Sequence, residues 1–268
     1  MKDIRIIFWS VLTGLLLSIS TTAMAQPKTE LKPEAIEAFD NFIKEMDEQY
    51  QLILNGKKPF LWVSQQDPDV QERVRGGEIV IVKERENIDV PNGIIHIWGV
   101  STFMPDASAE DVVKLLQDYD RHKDVYPSVV DSKLLESNGN TVKGFLRFMY
   151  KKVITAVLNT EHESTHTKVG ENKYSLRVRS TRIAEVENPG EASEKELPPG
   201  KDSGFMWRLN TYWVIAEAEG GVFVECGSVT LTRNIPFGLG WLIKPFITSI
   251  PRDSLEELVQ ATRVAVHK

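Results

Sequence analysis

The five histidines are the side chains of this sequence that are best suited to acid–base or metal chemistry near neutral pH. They are His96, His122, His162, His166 and His267. His162 and His166 are four residues apart, and on a strand that rises ~3.3 Å per residue they stand about 13 Å apart, too far to share one ion. His122 lies beside Asp120 and Asp124 and is a candidate general base, with an exposed loop histidine as the favoured alternative.

The sequence contains no HExxH, CxxC, GxSxG or phosphate-binding glycine loop. We therefore assign no catalytic residue, no metal ligand and no cofactor. Cys226 is the single cysteine, which excludes an intramolecular disulfide. Because Val222 and Val224 precede it at strand spacing, we predict that it is a buried apolar residue and not a nucleophile.

Several charged and phenolic side chains lie in or beside predicted strands and are candidates for binding the polar part of a ligand. They are Tyr126, Arg147, Arg177, Arg179, Tyr212 and Glu225. Arg177 and Arg179 share one face of a strand, and Glu225 lies in an otherwise apolar strand, so alignment of these strands would form a buried ion pair. A structural or solvated role is the alternative for each, since charged residues are mostly exposed or paired.

Large apolar side chains supply the candidate walls of a ligand pocket. Trp98, Trp207, Trp213 and Trp241 either line such a pocket or pack in the core. The more apolar face of strand 207–215 carries Trp207, Leu209, Trp213 and Ile215. A shift of the register by one residue would reverse that assignment.

The segment before the last helix is a candidate entrance to the pocket. Phe237, Leu239 and Trp241 lie there among glycines, and they would present aromatic and apolar groups in any transient membrane contact. Leu255 lies on the apolar face of the helix that follows, and we expect it to contact the ligand.

The apolar periodicity predicts an α+β protein with an antiparallel sheet. A helix is expected at 33–55, a connection at 57–76, and a short helix after the N-cap Ser108. The predicted strands are 78–85, 94–104, 131–136, 142–158, 161–169, 174–186, 207–217 and 222–233. A loop at 187–204 is a candidate lid, and a final helix begins near Ser249 or Ile250.

This order of elements resembles the helix-grip fold of the START-like superfamily, which includes lipid-transfer domains, Bet v 1-type proteins and polyketide cyclases. The resemblance covers residues 77–268 and is clearest at 109–130 (AEDVVKLLQDYDRHKDVYPSVV) and 231–265, and residues 26–76 lie outside it as a helical extension with a linker. It implies a curved sheet wrapped around the terminal helix, with an apolar cavity between them. Members of the superfamily carry lipids or other hydrophobic molecules there.

The first 25 residues have the pattern of a cleaved export signal, with a membrane anchor as the alternative. Lys2 and Arg5 precede an apolar run, and Ala23 and Ala25 give the small-x-small pattern before cleavage. Removal of this segment, whose net charge is +1 with Asp3 included, changes the net charge from −6 to −7. We therefore expect an acidic periplasmic or secreted protein that binds no nucleic acid and lacks a polybasic membrane surface.

Three functions remain open on the sequence. The first is binding or transport of a lipid or other hydrophobic small molecule outside the cytoplasm. The second is a cyclase- or hydrolase-like enzyme, which requires at least two of His122, Arg177, Glu225 and Tyr212 to converge in the pocket. The third is an envelope scaffold that contacts an unidentified protein partner through the amino-terminal helix and the 187–204 loop.

Overall fold

A computed structural model describes residues 29–83, 85–151, 155–234 and 240–267, with the backbone alone at residue 29 and over residues 240–248. The helices are α1 (Pro33–Leu54), α2 (Pro68–Arg75), α3 (Ala109–Gln117), α4 (His122–Val125) and α5 (Gly240–Ala265), with 3-10 turns at Val63–Gln65 and Tyr119–Arg121. The strands are β1 (Thr29–Glu30), β2 (Val80–Val82), β3 (Ile88–Val90), β4 (Gly93–Pro105), β5 (Val129–Asn138), β6 (Thr141–Lys151), β7 (Thr155–Lys168), β8 (Lys173–Glu187), β9 (Lys195–Glu196), β10 (Lys201–Asp202), β11 (Arg208–Ala218) and β12 (Gly221–Arg233).

One antiparallel sheet carries the fold. Its strand order within the described residues is β2-β4-β12-β11-β8-β7-β6-β5, with β3 paired to β4 and β9 paired to β8. Antiparallel neighbours follow from the short turns that the sequence predicts, such as the Gly220-Gly221 turn between β11 and β12. The α+β class and the helix-grip order of elements are confirmed.

Helix α5 lies on one face of this sheet, which we call the concave face. Leu258 packs both against the cluster that contains Val100 of β4 and against the cluster that contains Leu146 of β6. Five strand spacings of ~4.8 Å separate β4 from β6, about 24 Å in total, whereas a helix with its side chains is only ~10–12 Å wide. The sheet must therefore curve around α5 for one residue to pack with both ends.

Helix α1 covers the opposite, convex face. Phe39, Phe42 and Ile43 form one buried cluster with Ile97 of β4 and Leu231 of β12. The three-to-four spacing of apolar residues that predicts this helix therefore forms its buried stripe. The amino-terminal helix packs directly onto the sheet that the superfamily resemblance describes.

Four sequence-based boundaries were wrong. The predicted strand 142–158 is two strands, since β6 ends at Lys151, which pairs with Thr155 of β7. The sequence between them contains no glycine or proline that would have indicated the break. Helix α5 begins at Gly240 and not near Ser249 or Ile250, because it continues through the prolines at 245 and 251. The predicted connection 57–76 contains α2, and the predicted loop 187–204 contains β9 and β10.

Close packing fixes Tyr119 against the sheet at one glycine. Gly144 of β6 is buried, and a Cβ atom added there would overlap the Tyr119 ring. Tyr119 itself is only 2% exposed. Only glycine lets the ring lie this close to the strand.

We predict that Gly144→Ala lowers the free energy of unfolding by about 1–3 kcal/mol, the usual effect of overpacking. In a Tyr119→Ala background the same substitution should cost much less, because the obstructing ring is gone. Urea denaturation measures both, with Gly170→Ala as the control, since a Cβ there meets no atom within 4 Å. An equal cost in both backgrounds would contradict this packing.

Candidate functional site

A cavity lies between the concave face and α5. Its volume is about 160 Å³, roughly ten times the ~10–15 Å³ in which one water fits. Strands β6, β11 and β12 supply much of the wall through Leu146, Phe148, Tyr150, Leu209, Thr211, Trp213, Ser228, Thr230 and Thr232. Helix α5 supplies Ile250, Pro251, Ser254, Leu255, Glu257 and Leu258.

A line of hydroxyl groups runs along the wall on β11 and β12. Ser228, Thr230 and Thr232 alternate with residues of the convex face, because side chains of a strand point to opposite faces in turn. Thr211 of β11 lies directly across from Ser228. Thr230 is 7% exposed, and its hydroxyl oxygen has no hydrogen-bond partner. This wall therefore offers polar groups inside a mainly apolar space.

Two histidines face the same cavity. His162 of β7 contacts the hydroxyl of Thr160 through Nε2 at 2.8 Å, and that hydroxyl donates to the Leu146 carbonyl. His122 contacts the Leu115 carbonyl through Nε2 at 3.2 Å. Burial lowers the pKa of both imidazoles to about 4, so both are neutral at physiological pH.

Aromatic side chains mark the more exposed side of the cavity. Phe148 and Tyr150 stack with their ring centroids 5.9 Å apart, and Tyr150 contacts Phe205 at 5.1 Å. All three are half-buried, unlike Tyr126 deeper in the wall. Tyr126 hydrogen-bonds to Thr262 of α5 at 3.2 Å, and burial raises its pKa to about 12.

Four of the predicted ligand-binding residues line this cavity. They are Tyr126, Leu209, Trp213 and Leu255. The predicted register of β11 is thus correct for Leu209 and Trp213, whose side chains lie on the concave face. Their contact with a ligand stays a prediction.

The charged candidates lie elsewhere, on the convex face. Arg147 pairs with Glu194, with 2.9 Å between Nη2 and Oε2. Arg177 pairs with Asp47 of α1 at 3.1 Å. Both arginines have odd residue numbers, whereas the residues of β6 and β8 that line the cavity have even numbers, so the arginine side chains point to the other face of the sheet. The ion pair that the sequence predicted for Arg177 and Arg179 is made with Asp47 of α1, whereas Glu225 was the expected partner.

Glu225 of β12 holds the segment before α2. Its carboxylate accepts hydrogen bonds from the backbone N–H groups of Trp62 and Val63, at 2.7 and 2.9 Å, and from the Ser101 hydroxyl at 2.9 Å. These donors explain how a carboxylate that is 6% exposed is tolerated in an apolar strand. Its place in a ligand pocket was wrongly expected.

The tryptophan candidates divide between the two faces. Trp207 precedes β11 and is buried with Phe39 of α1, and its Nε1 donates to Asp202 at 2.8 Å. Trp98 packs half-buried beside the concave core but does not line the cavity. Phe237 and Leu239 lie outside the described residues, as does the side chain of Trp241.

The loop 187–204 lies against the convex face. Glu194 pairs with Arg147, and Glu196 of β9 pairs with Arg182 and accepts a hydrogen bond from Asn159 at 2.8 Å. None of residues 187–204 lines the cavity. The loop therefore does not cover the cavity in this structure, contrary to the lid hypothesis.

The group of polar residues that the enzyme alternative requires is not assembled in the cavity. Tyr212 and Arg177 both contact Asp47 on the convex face, and Glu225 binds backbone groups there. His122 alone of the four lines the cavity, and it is buried, not exposed as expected. The structure does support the predicted burial of Cys226, which is 1% exposed.

The described residues contain no group of three or more His, Cys, Asp or Glu side chains placed to hold a metal ion. Over the same part of the chain, no helix has both the length and the apolar content to cross a membrane.

The structure is similar to solved structures of lipid-transfer and cyclase proteins. A STAR-related lipid transfer protein fragment from Xanthomonas axonopodis matches at 19% identity over 71% of this chain and 99% of its own, with a TM-score of 0.47. Human STARD10 matches at 12% identity over 74% of this chain and 80% of its own, with a TM-score of 0.43. An aromatase/cyclase from Streptomyces sp. R1128 matches at 9% identity over 65% of this chain and 94% of its own, with a TM-score of 0.43.

These classes are the ones that the sequence resemblance names. No protein-family model and no curated protein matches the chain.

We predict that the buried histidines destabilise the protein in mild acid. Burial lowers the pKa of His96 to about 4, as it does for His122 and His162. The unfolded chain therefore binds more protons below about pH 6.5, so stability is complete above that pH and falls toward pH 4. The loss at about pH 5 should be on the order of 1–2 kcal/mol for each histidine.

Urea denaturation of wild type and His96→Gln at about pH 7.5 and pH 5 measures this effect. The variant should lose less stability on acidification, whereas His267→Gln, at an exposed position, should behave as wild type. Burial raises the pKa values of Glu185 and Asp202, so these two carboxyl groups stabilise the folded protein as the pH falls. Their contribution is the same in all three proteins and cancels when the stability losses between the two pH values are compared. Identical acid sensitivity in all three proteins would contradict the prediction.

Proposed function

We propose that the protein binds a lipid or another hydrophobic small molecule in the cavity beneath α5 and carries it outside the cytoplasm. The observation that supports this most strongly is a cavity of about 160 Å³ lined mainly by apolar side chains. Protein interiors are packed nearly as densely as organic crystals and contain few voids larger than a water. An empty space of this kind costs stability, which an apolar ligand restores.

The shape of the site also supports a ligand with an apolar body. Trp213 and Leu209 of β11 face Leu255 and Leu258 of α5 across the cavity. Phe148 of β6 also lines the cavity and is half-buried, so part of this apolar lining is accessible to solvent. Transfer of an apolar molecule from water into such a space contributes roughly 25 cal/mol per Å² of buried surface.

The location outside the cytoplasm has its support in the sequence. The segment 1–25 has a basic start, an apolar run and small residues at Ala23 and Ala25. A carrier of apolar molecules has an evident use there, since such molecules do not cross an aqueous compartment unaided.

We predict that filling the cavity weakens ligand binding at least about tenfold. Val178 of β8 is half-buried and lines the cavity, so Val178→Trp should place its ring in the space that the ligand needs. Titration with the neutral fluorophore N-phenyl-1-naphthylamine should show affinity reduced at least about tenfold. Thermal unfolding should change by only a few degrees, because the cavity accommodates the ring.

The matched control is Val130→Trp, at a position of β5 that is 45% exposed and does not line the cavity. Its affinity for the fluorophore should equal that of wild type. The proposal fails if Val178→Trp folds and binds as tightly as Val130→Trp. Organic extraction and native mass spectrometry of the two purified proteins provide a second reading, with co-purified apolar molecules expected only in the control.

We also predict that the full chain is exported and processed when expressed in a bacterial host. Amino-terminal sequencing of the protein from the extracytoplasmic fraction should begin at Gln26. Ala25→Asp should block cleavage and leave the precursor. A soluble cytoplasmic wild-type protein that begins at Met1 would contradict the proposed location.

A further inference from the structure

The two faces of the sheet differ in charge. Arg147 of β6 and Arg177 and Arg182 of β8 project onto the convex face, where each pairs with a carboxylate. The partners lie on α1 and on the 187–204 loop. Alternation along the strands thus directs these cations away from the cavity.

The described lining of the cavity contains no lysine and no arginine. Glu257 is its one carboxylate, and it is exposed at the rim, where it accepts a hydrogen bond from the Ser128 backbone N–H at 3.2 Å. Burial lowers the pKa of His122 and His162, so neither imidazole adds positive charge at neutral pH. An anionic group that entered this part of the cavity would lose its hydration without gaining a cation.

The hydrogen bonds of His122, which lines the cavity, determine which of its nitrogen atoms is left as an acceptor. A carbonyl oxygen only accepts, so the contact between Nε2 and the Leu115 carbonyl places the proton of the neutral ring on Nε2. Nδ1 is then left with a lone pair. It is buried and has no hydrogen-bond partner, and the side chain is only 5% exposed.

A lone pair in that position requires a donor. Burial without one is unfavourable, and an incoming O–H group satisfies it. An ether or ester oxygen accepts and cannot do so, and a carboxylate is both acceptor-only and charged. Thr230, whose buried hydroxyl also lacks a partner, offers a second polar contact on β12.

We propose that the cavity selects an uncharged apolar molecule that carries a hydroxyl group, and that this hydroxyl donates to Nδ1 of His122. The inference rests on the proposed function and narrows it to one ligand class. Anionic amphiphiles with the same hydrocarbon chain should bind more weakly, because the described part of the lining offers them no lysine or arginine.

Competition with N-phenyl-1-naphthylamine at about pH 7.5 tests this with three ligands that share a ten-carbon chain: 1-decanol, 1-methoxydecane and decanoate. Wild type should bind decanol about tenfold more tightly than decanoate, which is ionised at this pH. Decanol should also bind several-fold more tightly than 1-methoxydecane, because only decanol can donate a hydrogen bond.

His122→Phe should remove the advantage of decanol over the ether, since a planar aromatic ring is kept and the acceptor nitrogen is lost. Thr230→Val, which removes a hydroxyl at nearly constant volume, is the matched comparison. Loss of the preference for decanol in Thr230→Val with retention in His122→Phe would overturn the assignment to His122. If His122→Phe does not fold, the order of the three ligands on wild type still decides the ligand class.

The outcomes separate this inference from the proposed function. Displacement by decanoate at the same concentration as decanol would overturn the inference and leave apolar binding intact. Displacement by none of the three, together with equal fluorophore binding by Val178→Trp and wild type, would overturn the proposed function itself. Equal binding of decanol and the ether by wild type would overturn the role of the hydroxyl.

Discussion

The alternation of side chains along a sheet that is covered on both faces is the constraint on which the structure depends. Helix α1 covers the convex face and α5 the concave face, so neither face of the central strands is left to water. Every buried polar group on β11 and β12 must therefore find a partner inside the protein or meet a ligand. Glu225 finds backbone N–H groups, whereas Thr230 faces the cavity without a partner.

This constraint joins the fold to the proposed function. Curvature around α5 brings distant strands to one helix, and the side chains between them leave a cavity of about 160 Å³. The same alternation puts arginines such as Arg147 and Arg177 on the opposite face, where α1 and the 187–204 loop neutralise them. The described lining is left apolar, with hydroxyl groups and neutral imidazoles, which suits an uncharged ligand.

Local patterns in the sequence predicted what local physics determines. Ser108 caps α3 by accepting from the Asp111 N–H at 3.1 Å, and Leu209 and Trp213 follow strand alternation to the cavity. Trp207 escaped the pattern because it precedes the strand, where alternation no longer fixes its direction. The role of Glu225 was hidden because its donors lie about 160 residues away in sequence. The spacing of Ser228, Thr230 and Thr232 by two was a usable signal for the hydroxyl line that sequence reasoning missed.

A crystal structure of the protein grown with 1-decanol tests the central claim most directly. The account predicts electron density for the alkyl chain between Leu209 of β11 and Leu255 of α5, with the hydroxyl oxygen within hydrogen-bond distance of His122 Nδ1. An interior filled by side chains, with decanol absent or bound only on the outer surface, would contradict it.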